Sequence, residues 1–197
     1  TRFCQVTGVQ TCALPIYIKI VGGRYGLSSK DTTPGQLIAV YDNLKKEKPK
    51  NDFTIGITDD VTNTSLEYTA VEIPSEDRIS CKIWGLGGDG TVGANKNAIT
   101  TIGVIADKYV QAYFSYDSMK SGGLTQSHLR FGDTPIRSTY LVSSADFIAV
   151  HAPTYINKYD TTGDLKKGGT YLLNCPWTKN ELDERLPGSA KDRKSVV

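Results

Sequence analysis

The stretch SCKIWGLGGDGT, residues 80–91, decides the fold of the second half of the chain. Its first seven residues are apolar enough for a buried strand, and three glycines then break that strand in a tight turn. Residues 92–106 follow with an apolar stripe at helical spacing that runs from Ala94 to Ile105. The order strand, glycine turn, helix is typical of α/β folds in which strands pair in parallel.

Further elements are predicted after this helix. Residues 109–116, YVQAYFSY, read as the next strand because aromatic residues are enriched in strands. Residues 120–125 contain two adjacent glycines and predict a second glycine loop. The remaining predicted elements are strands at 137–142, 146–150 and 170–173, a short helix or turn at 154–159, and the start of a helix at 181–186.

A similar pattern precedes this block. The apolar stretches YIKIV, residues 17–21, and FTIGI, residues 53–57, predict two strands. Between them, Thr32 or Thr33 ahead of Pro34 predicts the start of a helix. We therefore expect an α/β protein made of two incomplete Rossmann-like parallel-sheet units, joined by a polar linker at residues 59–77.

The two ends of the chain resemble translated sequencing-library adapters. Residues 13–16 back-translate to GCT CTT CCG ATC, which is the reverse complement of GAT CGG AAG AGC. That second stretch encodes residues 192–195, and a natural protein has no reason to carry this relation. We expect residues 1–16 and 192–197 to be adapter-derived artefacts outside the fold.

Composition and charge exclude several classes of protein. The 197 residues include 23 basic and 21 acidic side chains, for a net charge of +2. Without the two terminal segments, which carry three basic residues and one acidic residue, the balance becomes 20 to 20. Nucleic-acid binding through bulk charge is therefore not expected. No apolar stretch reaches the roughly 18 residues of a membrane span, and we expect a cytoplasmic protein without membrane contact.

The four cysteines and two histidines show no metal-ligand spacing. Cys4, Cys12, Cys81 and Cys175 form no C-x-x-C pair, so zinc, haem attachment and iron–sulfur ligation lack their motif. A chain of this length can bury a core without disulfides, so we expect reduced thiols. His128 and His151 are isolated in sequence, and we expect no metal ligand among them.

Residues 85–90, GLGGDG, fit the pattern G-x-G-x-x-G between a strand and a helix. Such glycines let the backbone approach a pyrophosphate, whose charge the helix N-terminus favours. Asp117 ends the next predicted strand, where a dinucleotide fold would hold a ribose. The alternative is a glycine turn that only closes the strand–helix corner, and the negative charge of Asp89 inside the loop is unfavourable for phosphate.

The segment 120–130 concentrates cations, hydroxyls, two glycines and a histidine. Lys120 and Arg130 could bind an anionic group there. The alternative is a solvated loop that runs into an edge strand. Because loops at the carboxyl ends of parallel strands converge, we expect residues 87–96 and 120–130 to face the same side of the second sheet.

Several segments closely resemble the pyruvate:ferredoxin (flavodoxin) oxidoreductase family. The resemblance covers nearly all of residues 17–191, with departures at Met119, where a lysine is expected, and at Ala152, where an asparagine is expected. The matching segments are GGRYGLSSKD (22–31), DDVTNTSL (59–66), WGLGGDGTVGANK (84–96), YFSYD (113–117), SGGLT (121–125), SHLRFG (127–132) and LLNCPW (172–177).

The resemblance implies a fragment of a large multidomain enzyme of anaerobic metabolism, which we expect to be a homodimer. Such enzymes convert pyruvate and coenzyme A to acetyl-CoA and carbon dioxide, and pass electrons to ferredoxin or flavodoxin. They use thiamine diphosphate, magnesium and [4Fe–4S] clusters. Residues 17–75 would end a transketolase-C-like domain, and residues 76–191 would begin a gamma-type domain associated with coenzyme A. The fragment alone is expected to hold no cofactor and to be inactive.

The same resemblance suggests which residues contact coenzyme A, and it suggests neither a catalytic residue nor a metal ligand. Two alternatives stay open at this point. One is an NAD-type Rossmann dehydrogenase, supported by the glycine motif alone, and the other is a non-catalytic structural module. The expected coenzyme A-binding residues are Gly87, Gly88, Gly90, Thr91, Lys96, Lys120, Ser121, Gly122, Gly123 and Arg130.

Overall fold

A computed structural model of the chain describes residues 19–25, 31–58, 61–71, 73, 77–117, 122–186 and 188. The chain divides into two compact units after Val71, inside the predicted linker. Residues 1–16 and 192–197 lie outside the described residues, so their adapter origin stays a prediction. No helix in the described part of the chain is long and apolar enough to cross a membrane.

The first unit contains one helix and a short pair of parallel strands. Strand β1 is Gly23–Arg24, helix α1 is Pro34–Lys45, and strand β2 is Phe53–Thr54. The helix start is confirmed, because Thr33 caps α1 and its backbone N–H donates to Oε1 of Gln36 at 3.0 Å. The predicted first strand is wrong for residues 19–21, which are irregular, and residues 17–18 lie outside the described residues.

The second unit is built on one five-stranded sheet. The sheet order is β4-β5-β3-β6-β7, and a 3-10 turn at Pro153–Asn157 follows β6. The elements in chain order are β3 (Arg78–Leu86), α2 (Thr91–Ile105), β4 (Tyr109–Tyr116), β5 (Leu124–Gly132), β6 (Ala145–Val150), β7 (Leu165–Leu173) and α3 (Lys179–Arg185).

The α/β class with parallel strand pairs is confirmed, and the structure adds an antiparallel half to the second sheet. Strands β3, β6 and β7 run parallel, whereas β5 runs antiparallel to both β3 and β4. The segment expected to be a loop before an edge strand is therefore an inner strand, because the chain turns back after β4 and fills the gap beside β3. The strand predicted at 137–142 is wrong, since these residues are irregular.

Successive residues of β3 alternate between the two faces of the sheet. On one face, which we call the helix face, Cys81 and Ile83 pack with Leu129 and Ala149 against Ile99 of α2. The other face, which we call the loop face, lies under the irregular segments on either side of β6. The helix face therefore has a continuous apolar core below α2.

The loop face is apolar on one half and charged on the other. Trp84 packs there with Ile148 and Tyr171, whereas Lys82 and His128 occupy the neighbouring positions. The two polar side chains are buried, with 8% and 2% of their surface exposed. Their partners, Asp164 and Val142, come from the irregular segments.

Candidate functional site: a cleft between two glycine loops

The two glycine loops lie side by side at one end of the sheet. The backbone N–H of Gly87 donates to the carbonyl of Gly123 at 2.8 Å, and the N–H of Gly122 donates to the carbonyl of Gly87 at 3.2 Å. The expected convergence is thus confirmed for these glycines. Its cause differs from the one expected, because the second loop is the β4–β5 hairpin. Lys120 and Ser121 lie outside the described residues.

Three glycines of the first loop serve different geometric purposes. Gly88 and Gly90 have φ angles of +94° and +87°, which favour glycine, and a Cβ at either would meet nothing within 4 Å. A Cβ at Gly87 would lie 3.2 Å from the carbonyl oxygen of Gly123. The loop is therefore close to its neighbour at Gly87 and open to a ligand at Gly88 and Gly90.

The carboxylate of Asp89 binds backbone amides at both ends of the first glycine loop. Its two oxygens accept hydrogen bonds from the backbone N–H groups of Leu86 and Thr91, both at 2.8 Å. Burial acts to raise the pKa of Asp89, but these hydrogen bonds outweigh it and hold the pKa below its ordinary value. Because the first amide of α2 already has an anionic partner, an incoming phosphate could not use that amide without displacing Asp89.

Thr91 is fixed between α2 and the carboxyl end of β6. Its hydroxyl lies 2.7 Å from Nδ1 of His151, which directly follows β6. A Cβ at Gly85 would come within 2.7 Å of the Thr91 side chain, so glycine lets the helix approach the strand. The sequence showed His151 as isolated because this contact joins residues that are 60 positions apart.

A cleft of about 400 Å³ opens between the two loops. Thr125 lies on its floor with 5% of its surface exposed, and among the described residues its hydroxyl has no hydrogen-bond partner. Asp117, which follows β4, also lines the cleft. Neither Thr125 nor Asp89 was among the expected binding residues. The full lining consists of Leu86, Gly87, Gly88, Asp89, Gly90, Val92, Gly93, Tyr116, Asp117, Gly123, Leu124 and Thr125.

The structure does not bring Lys96 or Arg130 into this cleft. Lys96 lies in the second turn of α2, where its Nζ is 5.4 Å from the ring centroid of Phe114. Arg130 lies six positions along β5 from Leu124, roughly 20 Å away at strand spacing. It is buried on the loop face, where its Nη1 donates to Oε1 of Gln111 at 2.9 Å. The expected grouping of Arg130 with the glycine loops is wrong because residues 124–132 are extended.

The described residues offer no grouping suited to a metal. None of them form a cluster of three or more His, Cys, Asp or Glu side chains. Cys81 lies in the helix-face core, where burial and then the charge of Asp146 raise the pKa of its thiol to about 11. A thiol held protonated in this way is a poor nucleophile and a poor ligand.

The strand order also separates this fold from a dinucleotide-binding Rossmann unit. In that unit the strand after the first helix pairs directly with the strand before it. Here β5 lies between β3 and β4, so Asp117 is one strand further from the glycine turn. This arrangement does not favour the NAD-type alternative.

Comparison with known families identifies the family to which the chain belongs. A family model described as pyruvate ferredoxin/flavodoxin oxidoreductase matches residues 80–196, which is more than half of the chain. The chain belongs to the pyruvate ferredoxin/flavodoxin oxidoreductase family. The resemblance seen in the sequence is thereby confirmed.

Individual relatives agree with this assignment. Pyruvate-flavodoxin oxidoreductase of Enterobacter agglomerans is 56% identical over 174 residues, 87% of this chain. Pyruvate:ferredoxin oxidoreductase of Moorella thermoacetica is 54% identical over 175 residues, 88% of this chain. The chain spans about 15% of the length of each relative. The crystal structure of a pyruvate oxidoreductase subunit of Thermotoga maritima superposes with a TM-score of 0.46 at 20% identity, over 56% of this chain and 57% of that subunit.

Proposed function

We propose that the chain is part of an enzyme that oxidatively decarboxylates pyruvate. In this reaction pyruvate and coenzyme A give acetyl-CoA and carbon dioxide, and two electrons pass to ferredoxin or flavodoxin. The observation that carries the proposal is the identity of more than half of the aligned positions, which cover most of the chain, to relatives named for this reaction. Residues 17–75 would belong to a transketolase-C-like domain and residues 76–191 to a gamma-type domain.

The cofactors of such an enzyme would lie in its other domains. Each [4Fe–4S] cluster needs four cysteine thiolates. The described residues include Cys81 and Cys175, and Cys81 is buried and protonated. Asp89, the acid of the glycine loop, is committed to backbone amides and so does not suit a magnesium ion. We therefore assign thiamine diphosphate, magnesium and the clusters to the remaining domains of the parent enzyme, which would be cytoplasmic and homodimeric. This chain would take no part in the steps that these cofactors carry out.

The role proposed for this chain is to bind coenzyme A at the two glycine loops. Gly88 and Gly90 leave the backbone open on the cleft side, and Gly123 lies on the facing wall. The phosphates of coenzyme A need cations, and Lys120 with Ser121, which precede Gly122 in the sequence, would supply such a contact. Thr91 positions the loop rather than the ligand, because its side chain is buried against His151.

The activity is tested on the full-length parent enzyme, purified under anaerobic conditions. We expect reduction of ferredoxin or flavodoxin that requires both pyruvate and coenzyme A, and we expect no turnover by the 197-residue chain alone. Reduction of NAD⁺ by the parent without either electron carrier would favour the dehydrogenase alternative instead. Absence of any pyruvate-dependent reduction would leave the chain as a structural module.

The coenzyme A contact is tested with Lys120→Ala in the same parent enzyme. Loss of one charge-assisted hydrogen bond should raise the KM for coenzyme A by roughly ten- to a hundredfold. Decarboxylation of pyruvate in the absence of coenzyme A should not change. Lys108→Ala is the matched control, since Lys108 lies at the opposite end of β4 and pairs with Asp133. An unchanged KM in the Lys120 variant would contradict the contact.

A further inference from the structure

We infer that His151 is a positioning residue: through the hydroxyl of Thr91, it holds the first glycine loop in the conformation that is open to a ligand. The inference rests on the proposed function for the identity of that ligand, coenzyme A, and on the contacts around residues 86–91 for everything else. Three observations support it: how the loop is held, how His151 is anchored, and how Thr91 joins the two.

The contacts at the two ends of the first glycine loop determine its shape. Beyond Gly87, which the second loop holds, the backbone is open, and a Cβ at Gly88 or Gly90 would meet no described atom within 4 Å. Asp89 accepts hydrogen bonds from the backbone N–H groups at both ends, including that of Thr91 at 2.8 Å. Gly90 is the N-cap of α2 and has no side chain that could cap the helix. The start of α2 therefore depends on Thr91 and on its partners.

The backbone of His151 is anchored to the sheet and not to the loop. His151 directly follows β6, and its backbone N–H donates to the carbonyl of Trp84 in β3 at 2.9 Å. Its own carbonyl accepts a hydrogen bond from Nδ2 of Asn174, which follows β7, at 3.4 Å. Strands β3, β6 and β7 pair with one another in turn. The strands therefore place the imidazole of His151, whatever the conformation of the glycine loop.

Thr91 joins this imidazole to the loop. Its Oγ1 lies 2.7 Å from Nδ1 of His151, and only 4% of the residue is exposed. A Cβ at Gly85 would come within 2.7 Å of the Thr91 side chain, so the threonine fills the corner between β3 and α2. A hydroxyl can donate or accept, so either tautomer of His151 keeps the contact. This contact fixes the first residue of α2 relative to the sheet.

The charge of Asp89 adds to the same arrangement. Burial acts to raise the pKa of Asp89, whereas its hydrogen bonds with Leu86 and Thr91 and the nearby charge of His151 lower it, and the lowering effects prevail. An ionised carboxylate accepts more strongly from backbone amides than a neutral acid does. His151 therefore supports the loop from both sides of Thr91, by a hydrogen bond to its hydroxyl and by attraction to Asp89.

A loop that already has the binding conformation improves affinity without changing the chemical step. If only a fraction of the molecules hold the loop in that conformation, the apparent affinity falls by the same fraction. The loss of one buried neutral hydrogen bond corresponds to about a three- to tenfold change in such an equilibrium. We therefore expect His151→Ala in the full-length parent enzyme to raise the KM for coenzyme A about three- to tenfold, with a much smaller change in kcat.

Two further variants separate positioning from packing. His151→Asn keeps a polar atom near the place of Nδ1, so it should restore most of the affinity for coenzyme A. Thr91→Val keeps the shape of threonine without its hydroxyl, and it should raise the KM as much as His151→Ala does. The double variant should be no worse than either single variant, because the two side chains share one contact. Additive losses, or no rescue by asparagine, would overturn the inference.

Thr161→Val is the matched control. Thr161 and Thr91 are each 4% exposed, and the hydroxyl of Thr161 lies 2.9 Å from that of Tyr171, outside the lining of the cleft. The control removes the same group from the same depth. It should lower the midpoint of thermal unfolding about as much as Thr91→Val does, and it should leave the KM for coenzyme A unchanged. An equal rise in KM would show that affinity follows general stability, and the inference would fail.

Hydrogen–deuterium exchange of the same enzymes measures the loop without coenzyme A. The backbone amides of Leu86 and Thr91 donate to Asp89, so their exchange should be faster in His151→Ala and Thr91→Val and unchanged in His151→Asn. Unchanged exchange in His151→Ala would overturn the inference whatever the kinetics show. Faster exchange in a parent enzyme whose turnover does not require coenzyme A would support the positioning role and contradict the proposed function instead.

Discussion

The two faces of the second sheet bury their residues by different means. On the helix face, Cys81, Ile83 and Leu129 pack against Ile99 with little hydrogen bonding between side chains. On the loop face, Lys82 and the residues around it are equally buried but carry charge or polar atoms. One face of the sheet is therefore stabilised by apolar packing, and the other also by hydrogen bonds and an ion pair.

The polar half of the loop face is tied to irregular segments rather than to another helix. Nζ of Lys82 donates to Oδ2 of Asp164 at 2.5 Å, and it lies 4.9 Å from the ring centroid of Trp84. Nδ1 of His128 accepts a hydrogen bond from the backbone N–H of Val142 at 3.2 Å. An irregular segment leaves buried backbone groups without helix or strand partners, so hydrogen bonds to side chains of the sheet help to hold it in place.

Truncation of the helix-face core should have the largest effect on stability. Ile83→Ala removes buried methyl groups beneath α2 and should lower the free energy of unfolding by about 3 to 4 kcal/mol, measured by urea denaturation. Ile83→Val should cost about 1 kcal/mol. Val104→Ala, at an exposed position of α2, is the control and should change little. An equally small effect of Ile83→Ala would mean that this face is not the main apolar core.

The second-largest effect on stability should come from acid, which weakens the loop face through His128. Burial, together with the charges of Lys82 and Arg130, lowers the pKa of His128 to about 4, from about 6.5 when unfolded. The unfolded chain therefore binds more protons between these values, and stability is lost as the pH falls through that window. His128 should lower the free energy of unfolding by about 3 kcal/mol once the pH is below 4, and it should cause no such loss above pH 6.5.

Urea denaturation at several pH values tests this dependence. The variant His128→Asn keeps an acceptor for Val142 without the titrating ring, and its stability should fall less steeply between pH 6.5 and 4. Other carboxylates still titrate near the lower end of this range. Identical slopes for the variant and the unaltered chain would show that His128 does not contribute.

Removal of one partner from the buried ion pair should have the smallest of the three effects. Asp164→Asn leaves Lys82 without its counter-charge and should cost about 2 kcal/mol, because Asp164 is one-third exposed. Lys82→Met should cost less, since it removes the buried charge altogether. The exposed pair of Lys45 and Asp42 offers the matched control. Asp42→Asn should cost less than about 0.5 kcal/mol. An equal loss of stability in Asp164→Asn and Asp42→Asn would contradict a larger contribution from the buried pair.

The sequence predicts the helix face better than the loop face. Strand β4 has the predicted bounds, and β3 and α2 lie within two residues of theirs, because apolar periodicity and glycine punctuation are local signals. The sequence does not predict strand β5 because its residues 125–128, TQSH, are four consecutive polar residues and lack the alternation that marks a strand. Its polar side chains are buried only because segments far away in sequence cover them.

The same limit applies to the candidate site. The sequence predicts that the two loops lie on one side of the sheet, but it does not predict the antiparallel β4–β5 pairing that brings them together. The place of Arg130 could not, since it depends on whether the chain continues as a loop or as a strand.

The insertion of β5 between β3 and β4 sets the order in which the second unit can form. The β4–β5 hairpin closes a short connection, whereas β3 reaches β6 only across a much longer stretch of chain. We therefore expect the hairpin to form first and to dock against β3 as a unit. Until Gly132 has left the ribosome, α2 lacks the middle strand of the surface on which it packs. A nascent chain paused before that residue would expose Ile83 and Ile99, and it would be a substrate for chaperones.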